Sequence, residues 1–226
     1  MKRLITQLWV TSLFCLALGR ALDSGLCPLK SNPETEPEVN PNCKFILPES
    51  EIICDGENIT QWEFDSFLSR KFRTLRINGT LLSEIPACAL YDLEIETVII
   101  ENNPNLKDIH IDAFHHLKGV TNILVNGNGK LDLKNPFAVF RTLETLTNLV
   151  LENNFIQGKH GTENLQHFVY NLKSLQHLSL GGNPLQKITD FFMKPLIDSN
   201  LHTMNLKDCY LEKIENGKHF YLRTCE

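Results

Sequence analysis

The chain has 226 residues, 42% hydrophobic and 22% charged, so it can bury one substantial core and falls outside the disordered class. Its 22 Lys and Arg stand against 27 Asp and Glu, a net charge of −5. No basic field of the kind a phosphate backbone requires is present, and nucleic acid is excluded as an expected partner.

The chain opens Met1-Lys2-Arg3, continues with a mostly apolar run from Leu4 to Leu18, and then shows small residues at Ala17, Gly19 and Ala21. This order of charged, apolar and small residues predicts a secretory signal peptide over residues 1–19. The apolar run is shorter than the ~20 residues a membrane span needs, and no later run approaches that length. The expectation is an exported, extracellular chain without a membrane span. Loss of Lys2 and Arg3 leaves 20 basic residues against 27 acidic ones, about −7. Six cysteines then remain, Cys27, Cys43, Cys54, Cys88, Cys209 and Cys225. Without any C-x-x-C spacing, an even count in an oxidising compartment favours disulfides over metal ligation.

Residues 20–42 are crowded with Pro, Glu, Ser and Asn, a composition that cannot form a core and reads as a linker pinned by Cys27. Residues 43–71 carry Phe45, Leu47, Ile52 and Ile53, which predict one or two short strands and an amino-terminal, cysteine-containing cap.

From Phe72 onward one pattern recurs six times, with apolar residues at relative positions 1, 4, 6 and about 11 and a small polar residue at 9. The copies start at Phe72, Ile95, Val120, Leu146, Leu175 and Leu201, spaced 23, 25, 26, 29 and 26 residues apart. Positions 4 and 6, Leu75 and Ile77 in the first copy, share one side of a strand because side chains alternate. Each copy alone leaves that side wet, and stacking the next one ~4.8 Å away covers it. Six strands would thus make a parallel sheet roughly 24 Å across.

This pattern resembles the extracellular leucine-rich repeat family, with consensus L-x-x-L-x-L-x-x-N-x-L. The resemblance covers residues 72–226 and implies an α/β solenoid: a curved right-handed stack with a parallel sheet on its concave face and an irregular or short-helical convex face. It also implies an asparagine ladder at position 9, here Thr80, Asn103, Asn128, Asn154, Asn183 and Cys209, with Thr and Cys as weaker substitutes. A buried amide there satisfies backbone groups left without sheet partners where the chain turns. Asn154→Ala should therefore cost about 1–3 kcal/mol. An aromatic follows each turn (Tyr91, Phe114, Phe140, Phe168, Phe192, Phe220), which reads as a core stacked under the convex side. Cys27, Cys43, Cys54 and Cys88 resemble the family's amino-terminal caps in role; six cysteines allow 15 pairings. Cys209 and Cys225 either join or leave Cys209 as a buried thiol. No full carboxy-terminal cap follows the sixth repeat. Tyr221, Leu222 and a Cys225 link form a minimal lid, or another chain packs there and allows oligomers, or the chain is a truncated form.

Positions 3, 5, 7 and 8 face outward. Position 5 reads Arg76, Ile99, Leu124, Val150, Ser179, Asn205, and position 7 reads Asn78, Glu101, Asn126, Glu152, Gly181, Lys207. Ile99, Leu124 and Val150 form an apolar ridge beside Glu101, Asn126 and Glu152, the candidate ligand-binding residues, since an apolar patch with a charged rim marks protein-binding surfaces. The opposing explanation is that parallel strands favour aliphatic residues on either face. Two N-x-T sequons make Asn58 and Asn78 candidate glycosylation sites.

His110, His115 and His116, with Asp108 and Asp112, match no metal-ligand spacing and read as a solvated surface, so no metal and no cofactor are expected. The chain lacks G-x-S-x-G, H-E-x-x-H and a phosphate-cradling glycine loop. Glu101 and Glu152 would stand about 10 Å apart, two sheet spacings, close to an inverting glycosidase pair, but an open sheet face offers no pocket to raise one pKa.

The expected function is non-catalytic: a secreted recognition module binding a protein or glycan ligand or a partner subunit through its concave sheet. Within the family, the Asn-Pro-Asn-Leu stretch at 103–106, the Asp112-Ala113-Phe114 segment and the amino-terminal cysteines resemble small secreted arthropod leucine-rich repeat proteins, the group that includes the non-catalytic leucine-rich subunit of a crustacean luciferase. The alternative is a soluble ectodomain or fragment of a Toll-like or adhesion-type leucine-rich receptor.

Overall fold

The computed structural model describes residues 27, 43–46, 50–62, 71–133, 136–157, 172–188, 196 and 198–214. The signal peptide, most of the linker, Phe168, Phe192, Phe220, Tyr221, Leu222 and Cys225 lie outside them. The chain divides into two compact units, Met1–Thr35 and Glu36–Glu226. Of the first, only Cys27 is described, and the fold below is that of the second.

That unit is a parallel-sheet solenoid. Its strands are β1 (Cys43–Ile46), β2 (Glu51–Asp55), β3 (Lys71–Asn78), β4 (Glu84–Ile85), β5 (Glu94–Glu101), β6 (Asp108–Ile109), β7 (Asn122–Asn126), β8 (Asn148–Val150), β9 (His177–Ser179), β10 (Lys187–Ile188), β11 (Thr203–Asn205) and β12 (Lys213–Ile214). The main sheet has eight strands in the order β1-β2-β3-β5-β7-β8-β9-β11. All its pairs are parallel except β1 with β2. The six repeat strands stand side by side and in phase: Leu75 faces Val98, then Ile123, Leu149, Leu178 and Met204.

The sheet is two strands wider than the repeats alone predict. In β2 the buried residues Ile52 and Cys54 alternate as in a repeat and pair with Leu75 and Ile77, so the cap supplies a further rung. The hairpin β1–β2 is closed by the Cys43–Cys54 disulfide and leaves one strand running against the rest. Cys27 and Cys88 are each disulfide-bonded. Cys209 is a buried free thiol, which decides between the two roles its position allows.

The solenoid expected from the repeats is present, and its returns are mostly irregular: among the described residues the one α-helix, α1, is Pro136–Val139. The described returns between β4 and β7 are short and punctuated. Between β4 and β7 they carry Pro86 and the left-handed residues Cys88, Asp92 and His116, each of which stops a helix. They are held by turns and by coil-to-coil hydrogen bonds such as Cys88 N–H to Asp112 O at 3.0 Å and Ile95 N–H to Lys118 O at 3.0 Å. Two short parallel ladders, β4–β6 and β10–β12, stitch the returns together. Phe114 and Phe140 are fully buried with ring centroids 5.3 Å apart, as the recurring aromatics predict. Tyr91 is half-buried and meets His116 edge-on at 5.1 Å.

The asparagine ladder is present, and its geometry is regular. Asn103, Asn128, Asn154 and Asn183 each donate through Nδ2 to the position-6 carbonyl of the preceding coil, Ile77, Ile100, Val125 and Leu151, at 2.6 to 3.3 Å. Cys209 does the same with its thiol, to Leu180 O at 3.2 Å. The side-chain oxygens of Asn103, Asn128 and Asn154 accept the backbone N–H of Thr80, Asn103 and Asn128 at 2.9 to 3.0 Å. At Asn183 the register slips, and its oxygen accepts Ile156 N–H at 3.1 Å.

One expected surface cluster is partly internal. Asp112 is buried, 7% exposed, because Arg141 from the next return bridges it and also donates to Ile111 O and Ala138 O. A solvated reading of this acid is therefore wrong; the pair is a structural clamp between coils. Among the described residues no group of His, Cys, Asp and Glu is arranged to hold a metal.

Candidate binding face

The side chains that alternate with the core residues line the outer face of the sheet in three rows. Strand register aligns Ile53, Arg76, Ile99, Leu124, Val150, Ser179 and Asn205 in the central row. Ile99, Leu124 and Val150 are thus adjacent on three successive rungs, a ridge about 10 Å long, each residue half-buried by its neighbours. On one flank run Thr97, Asn122 and Asn148. On the other are Glu101 and Asn126, paired in register, with Glu152 two residues beyond Val150. The sequence-predicted ligand residues therefore share one surface.

The two ends of the ridge differ chemically. At the amino-terminal end Arg76 donates to Glu101 and reaches Glu51 at 3.4 Å, a charge-assisted bridge across three strands. At the other end Ser179 Oγ donates to Glu152 Oε1, and Asn205 Nδ2 donates to the same oxygen at 3.1 Å and to Ser179 Oγ at 2.9 Å. The expectation that Glu101 and Glu152 are plain surface acids is thus too weak, since both are held in place by neighbours. The sequence signal was present in the two columns, where Arg76 stands one rung from Glu101 and two hydroxyl and amide residues follow Val150.

A second, exposed amide row lies at the edge of this face. Position 8 alternates Gly79, Asn102, Gly127, Asn153, Gly182 and then Asp208, all at φ between 53 and 70°. Asn102 Nδ2 donates to Asn78 Oδ1 at 3.2 Å and Asn153 Nδ2 to Asn126 Oδ1 at 3.1 Å, and each Asn lies over the glycine of the next coil. Asn78, the second sequon asparagine, is half-buried in the neighbouring position-7 row, and its partner Thr80 is a fully buried ladder residue; Asn58 and Thr60 are exposed on the turn after β2.

A competing recess of about 520 Å³ opens where strands β3 and β5 begin, lined by Phe72, Ile95, Lys71, Arg73, Glu94 and Glu96. Its charges answer one another: Lys71 pairs with Glu94, which raises the lysine's pKa by hydrogen bonding, and Arg73 lies 3.9 Å from Glu96. It offers a ligand no unmet charge. No helix among the described residues is long and apolar enough to cross a membrane. No protein-family model matches this sequence, and no curated protein matches it.

Proposed function

We propose that the chain is an extracellular leucine-rich repeat protein that binds a protein or glycan ligand or partner subunit through the outer face of its main sheet, with no catalysis of its own. The repeat spacing and the ladder support the family, and the apolar leader with its flanking residues and the disulfides support export, with Asn58 and Asn78 as glycan acceptors. One observation carries the binding reading: three aliphatic side chains in strict register, bounded by oriented carboxylates and amides, on a face that the fold itself does not need to cover. An apolar centre with a polar rim is the anatomy of a recognition surface.

Replacing Ile99 or Val150 by Glu places a charge in that centre while leaving the inward residues untouched. Wild-type and Val150→Glu protein, used as paired baits in the extracellular fluid of the producing tissue, should differ by at least one protein retained by the wild type alone, at equal melting temperature. Equal retention by both baits would refute the proposal.

A further inference from the structure

Among the described residues, the three outer rows carry four acids, Glu51, Asp55, Glu101 and Glu152. Three have basic neighbours. Arg76 serves Glu51 and Glu101, and Lys44 approaches Asp55 to 4.0 Å. Glu152 makes no ion pair among the described residues; both its donors, Ser179 and Asn205, are neutral and converge on Oε1. Oε2 is left without a donor from the described residues, on a residue two positions beyond Val150.

The arrangement depends on a missing side chain. Gly181 stands beside Glu152 in the next coil, and a Cβ there would lie 3.2 Å from Asn205 Nδ2, across the path by which this amide reaches Glu152 from two strands away. The carboxylate is therefore fixed before any ligand arrives, and two neutral hydrogen bonds orient it without cancelling its charge. A half-buried anion of this kind penalises any partner that covers it with apolar or neutral atoms and rewards one that brings a cation.

We infer that the ridge takes a polypeptide segment in which an arginine or lysine stands beside aliphatic side chains, the aliphatics lying on Ile99, Leu124 and Val150 and the cation on Glu152. This rests on the binding reading above and names the partner's chemistry. Charge complementarity supplies the cation, and the aliphatic ridge favours a polypeptide over a glycan. The three outer rows contain no Phe, Tyr or Trp on which a sugar ring would stack.

The test uses a random dodecapeptide library displayed on phage, panned on the intact exported chain and counter-selected on Leu124→Glu and Val150→Glu proteins that keep the wild-type melting temperature. Peptides retained only by the wild type are face binders, and synthetic copies are titrated against wild type and Glu152→Gln. Gln keeps the oxygen that Ser179 and Asn205 address and removes only the charge. The expected result is a basic residue next to Leu, Ile or Val in the face binders, with affinity falling about tenfold or more in Glu152→Gln. Replacing the peptide's arginine by citrulline, or its lysine by norleucine, should reproduce that loss without adding to it. Face binders that lack a basic residue, or that bind Glu152→Gln undiminished, would overturn this inference and leave the binding face standing. A panning round with no face binders would overturn both.

Discussion

The alternation of Gly and Asn at position 8 gives a graded test of how the coils hold their register. Gly79, Gly127 and Gly182 all have left-handed φ, at +62, +69 and +70°, so an alanine at any of them meets a backbone cost of about 1–2 kcal/mol. They differ in what an added Cβ would touch: nothing within 4 Å at Gly79, Asn102 Oδ1 at 2.8 Å at Gly127, and Asn153 Oδ1, closer still, at Gly182. At Gly182 the amide must swing away and give up its 3.1 Å bond to Asn126, adding about 0.5–1.5 kcal/mol. Gly182→Ala should therefore lose about 1.5–3.5 kcal/mol, and a domain of this size should melt roughly 3–14 °C lower. Gly79→Ala should lose only the backbone share, with Gly127→Ala between them. Asn153→Gly should remove the clash, so the double variant Asn153→Gly/Gly182→Ala should retain only the backbone cost of the alanine beyond Asn153→Gly alone. Urea unfolding followed by far-ultraviolet circular dichroism, with disulfides intact, reads all five proteins. Equal losses at the three glycines, or strict additivity in the Asn153–Gly182 cycle, would show that the amide does not bear on the next coil and would refute the reasoning.

Asn128→Ala should cost about 2–3 kcal/mol, at least as much as Asn154→Ala, because both amides accept a backbone N–H and donate to a carbonyl of the preceding coil, and Asn128 also donates to Asn126 O at 3.2 Å; chemical denaturation checks the pair. Arg141→Ala should cost about 3 kcal/mol by stranding the buried Asp112 carboxylate, whereas Arg76→Ala, on the half-exposed outer face, should cost less than about 1 kcal/mol; thermal melts distinguish them. Burial pushes the Cys209 thiol above its ordinary value. Its contribution to stability is thus complete below the unfolded-state pKa and fades as pH rises from there through the folded one. Native protein at pH 8 should resist iodoacetamide at Cys209 and react once unfolded, and rapid labelling of the native thiol would contradict the burial.

The inward half of this fold was legible because it obeys one period. Leu75, Ile77 and their counterparts must be apolar in every coil, so the stacked strands follow from spacing, while the ladder at position 9 was an implication of the family resemblance. The short cap strands were legible from Phe45, Leu47, Ile52 and Ile53, but not their place in the main sheet, since β2 borrows the repeat's inward alternation through Ile52 and Cys54 without its length or its asparagine. An irregular or short-helical convex side was expected, but where the described returns turn was not legible, because left-handed residues such as Cys88 and His116 are not marked by residue type. The outward rows were readable as columns but not as interactions: Arg76 binding Glu101, and Asn205 reaching Glu152 over Gly181, depend on neighbours about 25 and 50 positions away in sequence.

The same face explains why the far end of the sheet holds together. Strands β3 and β5 have eight residues each, β7 has five, and β8, β9 and β11 have three, so the regular strands shorten where the period lengthens to 29 residues between Leu146 and Leu175. There the register of the asparagine ladder slips as well, at Asn183. Backbone bonds continue past the short strands, such as Leu151 N–H to Ser179 O at 2.8 Å and Leu180 N–H to Asn205 O at 2.9 Å, and side chains add to them: Ser179 and Asn205 tie their strands to Glu152, and His177 Nδ1 lies 2.7 Å from Thr203 Oγ1. A carboxylate that gathers three short strands from outside is costly to move, which keeps it aimed at the solvent side of the ridge. Holding the stack and presenting a charge are here served by one residue, and Glu152→Gln separates them, because the amide oxygen preserves the first while the lost charge removes the second.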